Sequence, residues 1–484
     1  MLVAGDTTGS FVYVSSADAT RTAHSAATPP KRSQSTIQFE ASDPSDNDVE
    51  EIQTPPLDTL EDALQCRPAP PSPFYQIVDP LSNLAPLNRS LLDHFIHSTS
   101  QVISCHSVVQ EDVCSAIVPA ALANQALFNA TMALSAINRM SRAGFHSSAI
   151  RGEPLISKLL SESLKGLQID LTQRDVQKSS VLLATVRTLF LCEVHAGGDR
   201  PGTWRTHFEG ARALMSNIES WKGYSSKERD STNWYMKRWY SMTEAFVSLT
   251  GDSLATGGLA RLDEDSTEED NEVFLDEYAG FSTDLIPVFR EIGAAAWERR
   301  RTRSLAAPPN ILHQNDLDEE AAYLEQNISK RICYNRLAVP KFRPGLAERL
   351  SEQQKQDFVL CNEAWHHMAL VYIHRQIYRL PSSSAAVQGC VKKILDCCEG
   401  ITVASGLTPL VVLTTPLFVA GCEALEDDRD RIRHLLGVMF ELFRIPNMHR
   451  SLEVLECFWA SAHCSEAGDW DSFMRDQNWD FLPY

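Results

Sequence analysis

The chain has 484 residues, 43% of them apolar, and carries 63 acidic side chains against 44 basic ones, a net charge of −19. Such a length buries a sizeable core, either as two or three domains of about 100–200 residues or as one large helical body. The negative balance excludes a protein that coats phosphate backbones, because nonspecific affinity for nucleic acid comes from Lys and Arg displacing counterions.

Of the twelve cysteines, Cys192, Cys361 and Cys422 lie in apolar helical stretches, where a reduced thiol acts as a small hydrophobe. This usage fits a reducing compartment. No Cys-x-x-Cys occurs, so the spacing that sets two thiolates on one zinc ion is missing. The first residues place Asp6 inside their apolar part with no positive charge ahead of it, which argues against a signal peptide. The strongest apolar run, Leu410 to Val419, falls short of the roughly 20 residues of a membrane span. A soluble intracellular protein is the expectation.

Residues 1–84 are rich in Ser, Thr, Pro and acidic side chains. They bury too little surface to offset chain entropy and read as a disordered tail. Lys31-Arg32 reads as solvated chain rather than an import signal, and Phe39 to Leu64 as an acidic linker rather than a co-activator-binding segment. Order is expected from Ser90, where Ser90 and Asp93 have capping-box spacing ahead of Leu91, Leu92, Phe95 and Ile96. Next comes a helix around Asn124 to Met140 whose Ala126, Ala130, Ala133 and Ala136 permit close contact. Leu155 to Leu167 and Val176 to Val194 follow as amphipathic helices, the second ended by Gly197-Gly198.

The clearest periodicity places Trp204, Phe208, Ala211, Leu214 or Met215, and Ile218 on one helix face, with His207 beside it. A lone histidine at such a place reads as packed rather than ligating. Trp234, Tyr235, Trp239, Tyr240 and Phe246 form an aromatic helix that reads first as core and second as the wall of an effector pocket. Gly251-Asp252-Ser253-Leu254 spells the GDSL signature of a hydrolase family, but it follows a helix in mid-chain, and Asp430 and His434 have the wrong spacing for the remaining triad. Asp263 to Glu277 reads as a solvated acidic loop. A helix from Leu285 to Ile292 runs into Glu298-Arg299-Arg300-Arg301, where the arginines favour the helix C-terminus or meet an acidic partner.

Residues 303–316, with Pro308-Pro309-Asn310, read as a linker between a helical lobe at 85–302 and a second at 317–465. In the second lobe a helix carries Phe358, Cys361, Trp365, Met368, Tyr372 and Ile377 up to Leu380-Pro381. His366, His367 and His374 lie along it, with no carboxylate or cysteine at the spacing that completes a metal set. Gly406 to Trp459 then holds a nearly continuous apolar segment, a polar break at Glu423 to Arg433, an amphipathic helix and a last helix after Ile445-Pro446-Asn447. Residues 466–484 interleave acidic and aromatic side chains. Two readings stand for this tail: an exposed activation segment in which Trp470, Phe473, Trp479 and Phe481 contact a co-activator groove, or a tail docked on the body by Trp470 and Trp479. The fold class is all-α, a superhelical array of antiparallel helix pairs behind a disordered N-terminal tail.

The order of an apolar run with Pro416, then Gly421, a charged turn, a helix, an Asn-containing break and a helix ending in Trp459 resembles the C-terminal part of the fungal-specific transcription factor domain. That domain is the helical regulatory region of binuclear zinc cluster transcription factors. Ser90 to Met140 is similar to its opening, in which a helix, an extended polar link and a small-residue helix follow each other. Gly202-Thr203-Trp204-Arg205-Thr206-His207-Phe208-Glu209-Gly210-Ala211 is similar to its tryptophan, histidine and glycine-alanine motif, and Ala364 to Pro381 to its helix ending in tyrosine and proline. The resemblance covers most of residues 85–465. It implies a nuclear protein, or one shuttling from the cytoplasm, that controls a metabolic pathway or biosynthetic gene cluster under a small-molecule effector or a partner.

The missing Cys-x-x-Cys departs from that pattern. The expected regulator therefore reaches DNA indirectly, through a DNA-binding partner and transcription co-regulators, or relies on a zinc cluster encoded upstream of this sequence. No cofactor is expected in this chain and no membrane; zinc enters only with such an upstream cluster, and homodimerisation is compatible. The rival readings are a helical effector-binding scaffold with no transcription role and, remotely, a GDSL-type hydrolase.

Overall fold

A computed structural model of the chain describes residues 3–4, 11–12, 81, 83–172, 179–198, 202–219, 231–249, 273–304, 311–403, 407–461, 464 and 470–484. Most of the N-terminal tail, the GDSL tetrapeptide at 251–254 and the middle of the expected linker lie outside these residues. The described chain is almost entirely helical. Val3–Ala4 and Phe11–Val12 pair as a two-residue antiparallel ladder, and isolated bridges join Leu275 to Ser282 and to Phe342.

The first helix among the described residues, α1 (Pro86–His94), starts four residues before the expected Ser90. Pro86 occupies its first turn, where a fixed φ is already helical and the missing N–H has no partner to lose. It continues through a π-helical turn, Phe95–Thr99. Where the sequence reads as an extended link, α2 (Ser107–Ala123) forms instead, capped by His106 Nδ1 accepting from the Val108 amide. Val109, Val113, Ala116 and Ile117 share its buried face, and that burial outweighs the backbone bond lost at Pro119. Asn124 caps α3 (Gln125–Arg142) by accepting from the Leu127 amide at 2.9 Å.

Helix α3 is buried nearly all round and forms the axis of the N-terminal half. Around it pack α1, α2, α5 (Pro154–Thr172) and α6 (Ser179–His195), while the short α4 (Ser147–Gly152) leads into α5. The small residues on α3 admit close neighbours. Ser163 of α5 donates to the Ala126 carbonyl at 2.8 Å, and Ser135 reaches the Leu91 carbonyl of α1 at 2.6 Å. Helix α6 stops where expected, with Gly197 at φ +69° and its amide bonded back to Val194.

Helices α7 (Thr203–Glu219), α8 (Ser231–Ser248) and α9 (Leu285–Ser304) extend the array. At the crossing of α8 and α9, a Cβ on Gly293 would lie 2.4 Å from the Ser248 carbonyl oxygen. Backbone cannot yield as a flexible side chain does, so Gly293→Ala is expected to cost about 1–3 kcal/mol. A lowered thermal midpoint would report it; an unchanged midpoint would mean that the helices separate freely.

Helix α10 (Ile311–Leu337) takes up the end of the expected linker, as α9 takes up its start. Ser351 and Gln354 form a full capping box at α11 (Glu352–Tyr372), which ends in a π-helical turn, Ile373–Ile377. Helix α12 (Ala385–Gly400) packs along it. The apolar run divides into a 3-10 turn (Pro409–Leu413) and α13 (Thr414–Glu423), because Pro409 and Pro416 each suit a first turn and not a helix interior. Every residue of α13 is buried.

The polar break is shorter than the sequence indicates. Glu423 is buried beside Arg375, and Asp427, Asp428 and Asp430 form the first turn of α14 (Asp427–Phe443), where acidic side chains favour the positive helix end. Pro446 opens α15 (Pro446–Trp459), whose Trp459 indole donates to the Gly421 carbonyl at 2.9 Å. Helices from both halves of Ala85–Tyr484 share one core: the rings of Phe281 and Phe289 meet Trp365 at 4.9 and 6.0 Å.

Candidate functional site: the C-terminal clasp

The last fifteen residues bring together distant parts of the helical body. Trp470, Phe473 and Met474 recur at three-and-four spacing and bury one face of α16 (Trp470–Asp476). Asn478, at φ +53°, turns the chain out of the helix, and the Trp479 amide bonds back to the Met474 carbonyl at 2.9 Å. Residues 479–484 then continue over the body without regular secondary structure.

The four aromatic residues assigned to co-activator contact divide by burial. Trp470 and Phe481 both meet Phe418 of α13, at 5.6 and 5.7 Å, and Phe473 meets Phe458 of α15 at 5.4 Å; all three are buried. Trp479 stays half-exposed, with its ring under the Arg450 guanidinium and against Phe473. In this arrangement the tail is docked.

Asp480 is the polar centre of the clasp. Its carboxylate accepts from Arg205 Nε at 2.8 and 2.9 Å and from the Gly202 amide at 3.1 Å, and its carbonyl accepts from the Trp204 indole at 2.9 Å. The Gly202-Thr203-Trp204-Arg205 motif is thus the receptor for the tail. Further along, Thr415 donates to the Pro483 carbonyl at 2.5 Å. Asn447 donates to both the Leu482 and Val194 carbonyls and accepts from the Tyr484 amide, tying α15, α6 and the tail together. At the other end Arg300 of α9 pairs with Asp471 at 3.2 Å, so one of the clustered arginines finds its acidic partner within the chain.

Asp480→Asn keeps the shape and removes the charge, and is expected to cost about 1–2 kcal/mol. A double-mutant cycle with Arg205→Ala should show coupling between the two changes; strict additivity would exclude the pair as the clasp's anchor.

A second polar cluster corrects the reading of Asp263 to Glu277 as solvated surface. Residues 263–272 lie outside the described residues, but Asp276 and Glu277 are 2% and 0% exposed. Arg238 of α8 pairs with both, Arg343 pairs with Glu277 and Asp112, and both guanidiniums stack on the Trp234 ring at 4.5 and 4.8 Å. The arginines come from elsewhere in the chain, which is why the local sequence reads as surface. Burial, then the adjacent Asp276 charge, raise the Glu277 carboxyl above its ordinary range, and Arg238 and Arg343 oppose this. The cluster fastens α2 and α8 to the 273–284 segment.

The histidines follow the same pattern. His207 is buried on α7, and burial holds its imidazole neutral, at about 4. Two carboxylates do stand beside the others: Glu363, four residues earlier on the same helix, lies 3.5 Å from His367, and Glu325, from α10 and so invisible to spacing along the helix, lies 3.1 Å from His374. His366 instead bonds the Asn362 carbonyl through Nδ1 at 2.7 Å. Among the described residues no group of three His, Cys, Asp or Glu side chains is placed to hold a metal ion. An open groove of about 710 Å³ lies between α14 and α15, lined by Arg433, Gly437, Phe440, His449 and Leu452 among others. None of the described helices is long and apolar enough to cross a membrane.

Sequence reasoning missed Asp480, Thr415 and Asn447 as clasp residues. On the body, Arg205 and Trp204 carried a signal as part of the tryptophan motif, and on the tail Trp470 and Trp479 did as aromatic anchors.

A family model described as "Fungal specific transcription factor domain" matches residues 90–484. Among curated proteins the chain is similar to "Transcription factor dibT" of Pestalotiopsis microspora, 24% identical over 107 residues. Those residues make up 22% of this chain and 16% of the relative, so the match spans well under two thirds of that protein. No solved structure matches the chain.

Proposed function

The chain belongs to the fungal-specific transcription factor domain family, and from that premise we propose that it controls transcription of a metabolic pathway or biosynthetic gene cluster. Membership makes it a regulatory domain and not an enzyme. In the proposed reading it works in the nucleus and reaches promoters through a DNA-binding partner, or through a zinc cluster on polypeptide outside this sequence. The net charge of −19 without any Cys-x-x-Cys favours indirect contact with DNA. The observation that carries the reading is the family match through residue 484, which includes the clasp.

The clasp supplies a route for regulation. Docked, Trp470, Phe473 and Phe481 are withheld from any partner; released, they and Trp479 form the acidic-aromatic segment that captures a co-regulator groove. Transcript profiling of a deletion strain, with a tagged copy followed by microscopy, tests the function. A restricted set of altered transcripts and a nuclear signal are expected, whereas nuclear exclusion with unchanged transcripts would refute it. In mobility-shift assays the purified chain alone should give no tight sequence-specific complex.

A further inference from the structure

Two buried arginines in the N-terminal half stand in similar surroundings and differ in one respect. Arg238 packs on aromatic rings and has Asp276 and Glu277 to neutralise it. Arg187 of α6, 5% exposed, packs over the rings of Tyr235 and Trp239 at 4.8 and 5.9 Å and donates to the Tyr235 hydroxyl. Its Nε, like that of Arg238, has no acceptor, but no carboxylate among the described residues pairs with it. A guanidinium taken out of water without a counter-ion costs several kcal/mol. Evolution toward stability alone would replace it or supply an acid.

The group that faces Arg187 belongs to the tail. The Tyr484 ring lies edge-on to Phe190 at 5.5 Å and tilted against Phe246 at 5.7 Å, close enough to Arg187 for that charge to act on its phenol. Burial raises that phenol above its ordinary range, so it stays neutral. Tyr484 therefore fills the shape of the box and leaves its charge unanswered. The segment that delivers it is held by side-chain contacts, polar ones from Thr415, Asn447 and Arg205 and the packing of Phe481 on Phe418, and not by a sheet, so it can leave without unravelling an element.

We propose that the Tyr484 ring is the resident occupant of a binding site for a small aromatic anion. The ligand ring would take the place between Phe190 and Phe246, and its carboxylate or phenolate would meet the Arg187 guanidinium. Binding and clasp closure are then mutually exclusive, so the ligand favours the released tail increasingly as its concentration rises above its dissociation constant for the open site. That this shift alters transcription rests on the regulatory reading above; the binding itself does not.

Calorimetry on the full chain tests it, with 4-hydroxybenzoate as the probe and 4-hydroxybenzyl alcohol as its neutral counterpart. Tyr484→Ala, which removes the competitor, should bind the benzoate about tenfold or more tightly than the unmodified chain, and the alcohol at least about tenfold more weakly than the benzoate. Adding Arg187→Gln should abolish the preference for the anion. The proposal is overturned if Tyr484→Ala, with helical circular dichroism and a cooperative melt retained, shows no saturable binding up to about 10 mM, or binds acid and alcohol alike. Should that variant fail to fold, trypsin digestion of the unmodified chain decides. The benzoate should speed cleavage after Arg475 by releasing α16, and an unchanged rate would overturn the proposal. Neither calorimetry nor digestion depends on promoters, so their failure leaves the transcription reading standing.

Discussion

Phe481→Ala is expected to destabilise the protein by about 3–5 kcal/mol, the usual cost of emptying a fully buried phenylalanine site. Phe481 is 4% exposed and packs on Phe418, which Trp470 also touches, so the vacated space lies under both ends of the clasp. Trp479→Ala should cost only about 1–2 kcal/mol, because that ring is half-exposed and held mainly by stacking with Arg450 and Phe473. Total stabilities of single domains run near 5–15 kcal/mol, so the first change removes a large share and the second a small one. Urea unfolding followed by circular dichroism separates them. Equal, small effects would mean that the tail is not docked in solution, and the account of the clasp would fall.

Acid provides the second large effect. Burial holds His195, His207 and His366 at about 4, against an ordinary value of 6.5. Their folded values lie below the unfolded ones, so the unfolded chain takes up protons first and stability falls as pH drops below about 6.5. By pH 5 each neutral imidazole should have cost about 2 kcal/mol of stability relative to pH 7.5, roughly 6 kcal/mol for the three. His94 and His106 are shifted the same way. Glu277, whose carboxyl is raised, works in the opposite sense: its protonation favours the folded state as the pH falls. Glu363, held at about 2 by His367, burial notwithstanding, and by Arg336, does not titrate in this window. A urea midpoint that stayed level between pH 7.5 and 5 would contradict the neutral burial of these histidines. Replacing His366 by Gln should remove about a third of the slope.

Much of the fold is legible because helices are built from neighbours in sequence. The faces formed by Trp204, Phe208, Ala211 and Met215, or by Ile432, Leu435, Leu436, Met439 and Phe443, appear as three-and-four spacing and are buried as that spacing requires, while Val438 and Leu442, read with the second face, stay half-buried at its edge. Capping and turn residues act over the same short range, so Asn124 and Gly197 mark boundaries where they stand, although Ser90, read as the start of a capping box, lies inside α1 because Pro86 opens the helix earlier. Errors arise where burial comes from elsewhere. The link before Asn124 becomes α2 because Val109, Val113 and Ile117 find a core supplied by other helices. Glu423 is taken for part of a polar break because Arg375, its partner, is not adjacent.

The sequence by itself determined the all-helical class, the faces turned inward and the kinship with a regulatory family, since each rests on patterns within a few turns of one helix or on motifs read in order. Only the tertiary structure decided that Asp276 and Glu277 are interior, that Arg187 is buried without a carboxylate partner among the described residues, and that the acidic-aromatic tail is docked. An exposed activation segment and a docked clasp have the same composition. What separates them is the free energy of contacts such as Asp480 with Arg205, 275 residues apart, which exist only once the helices have set both partners in place.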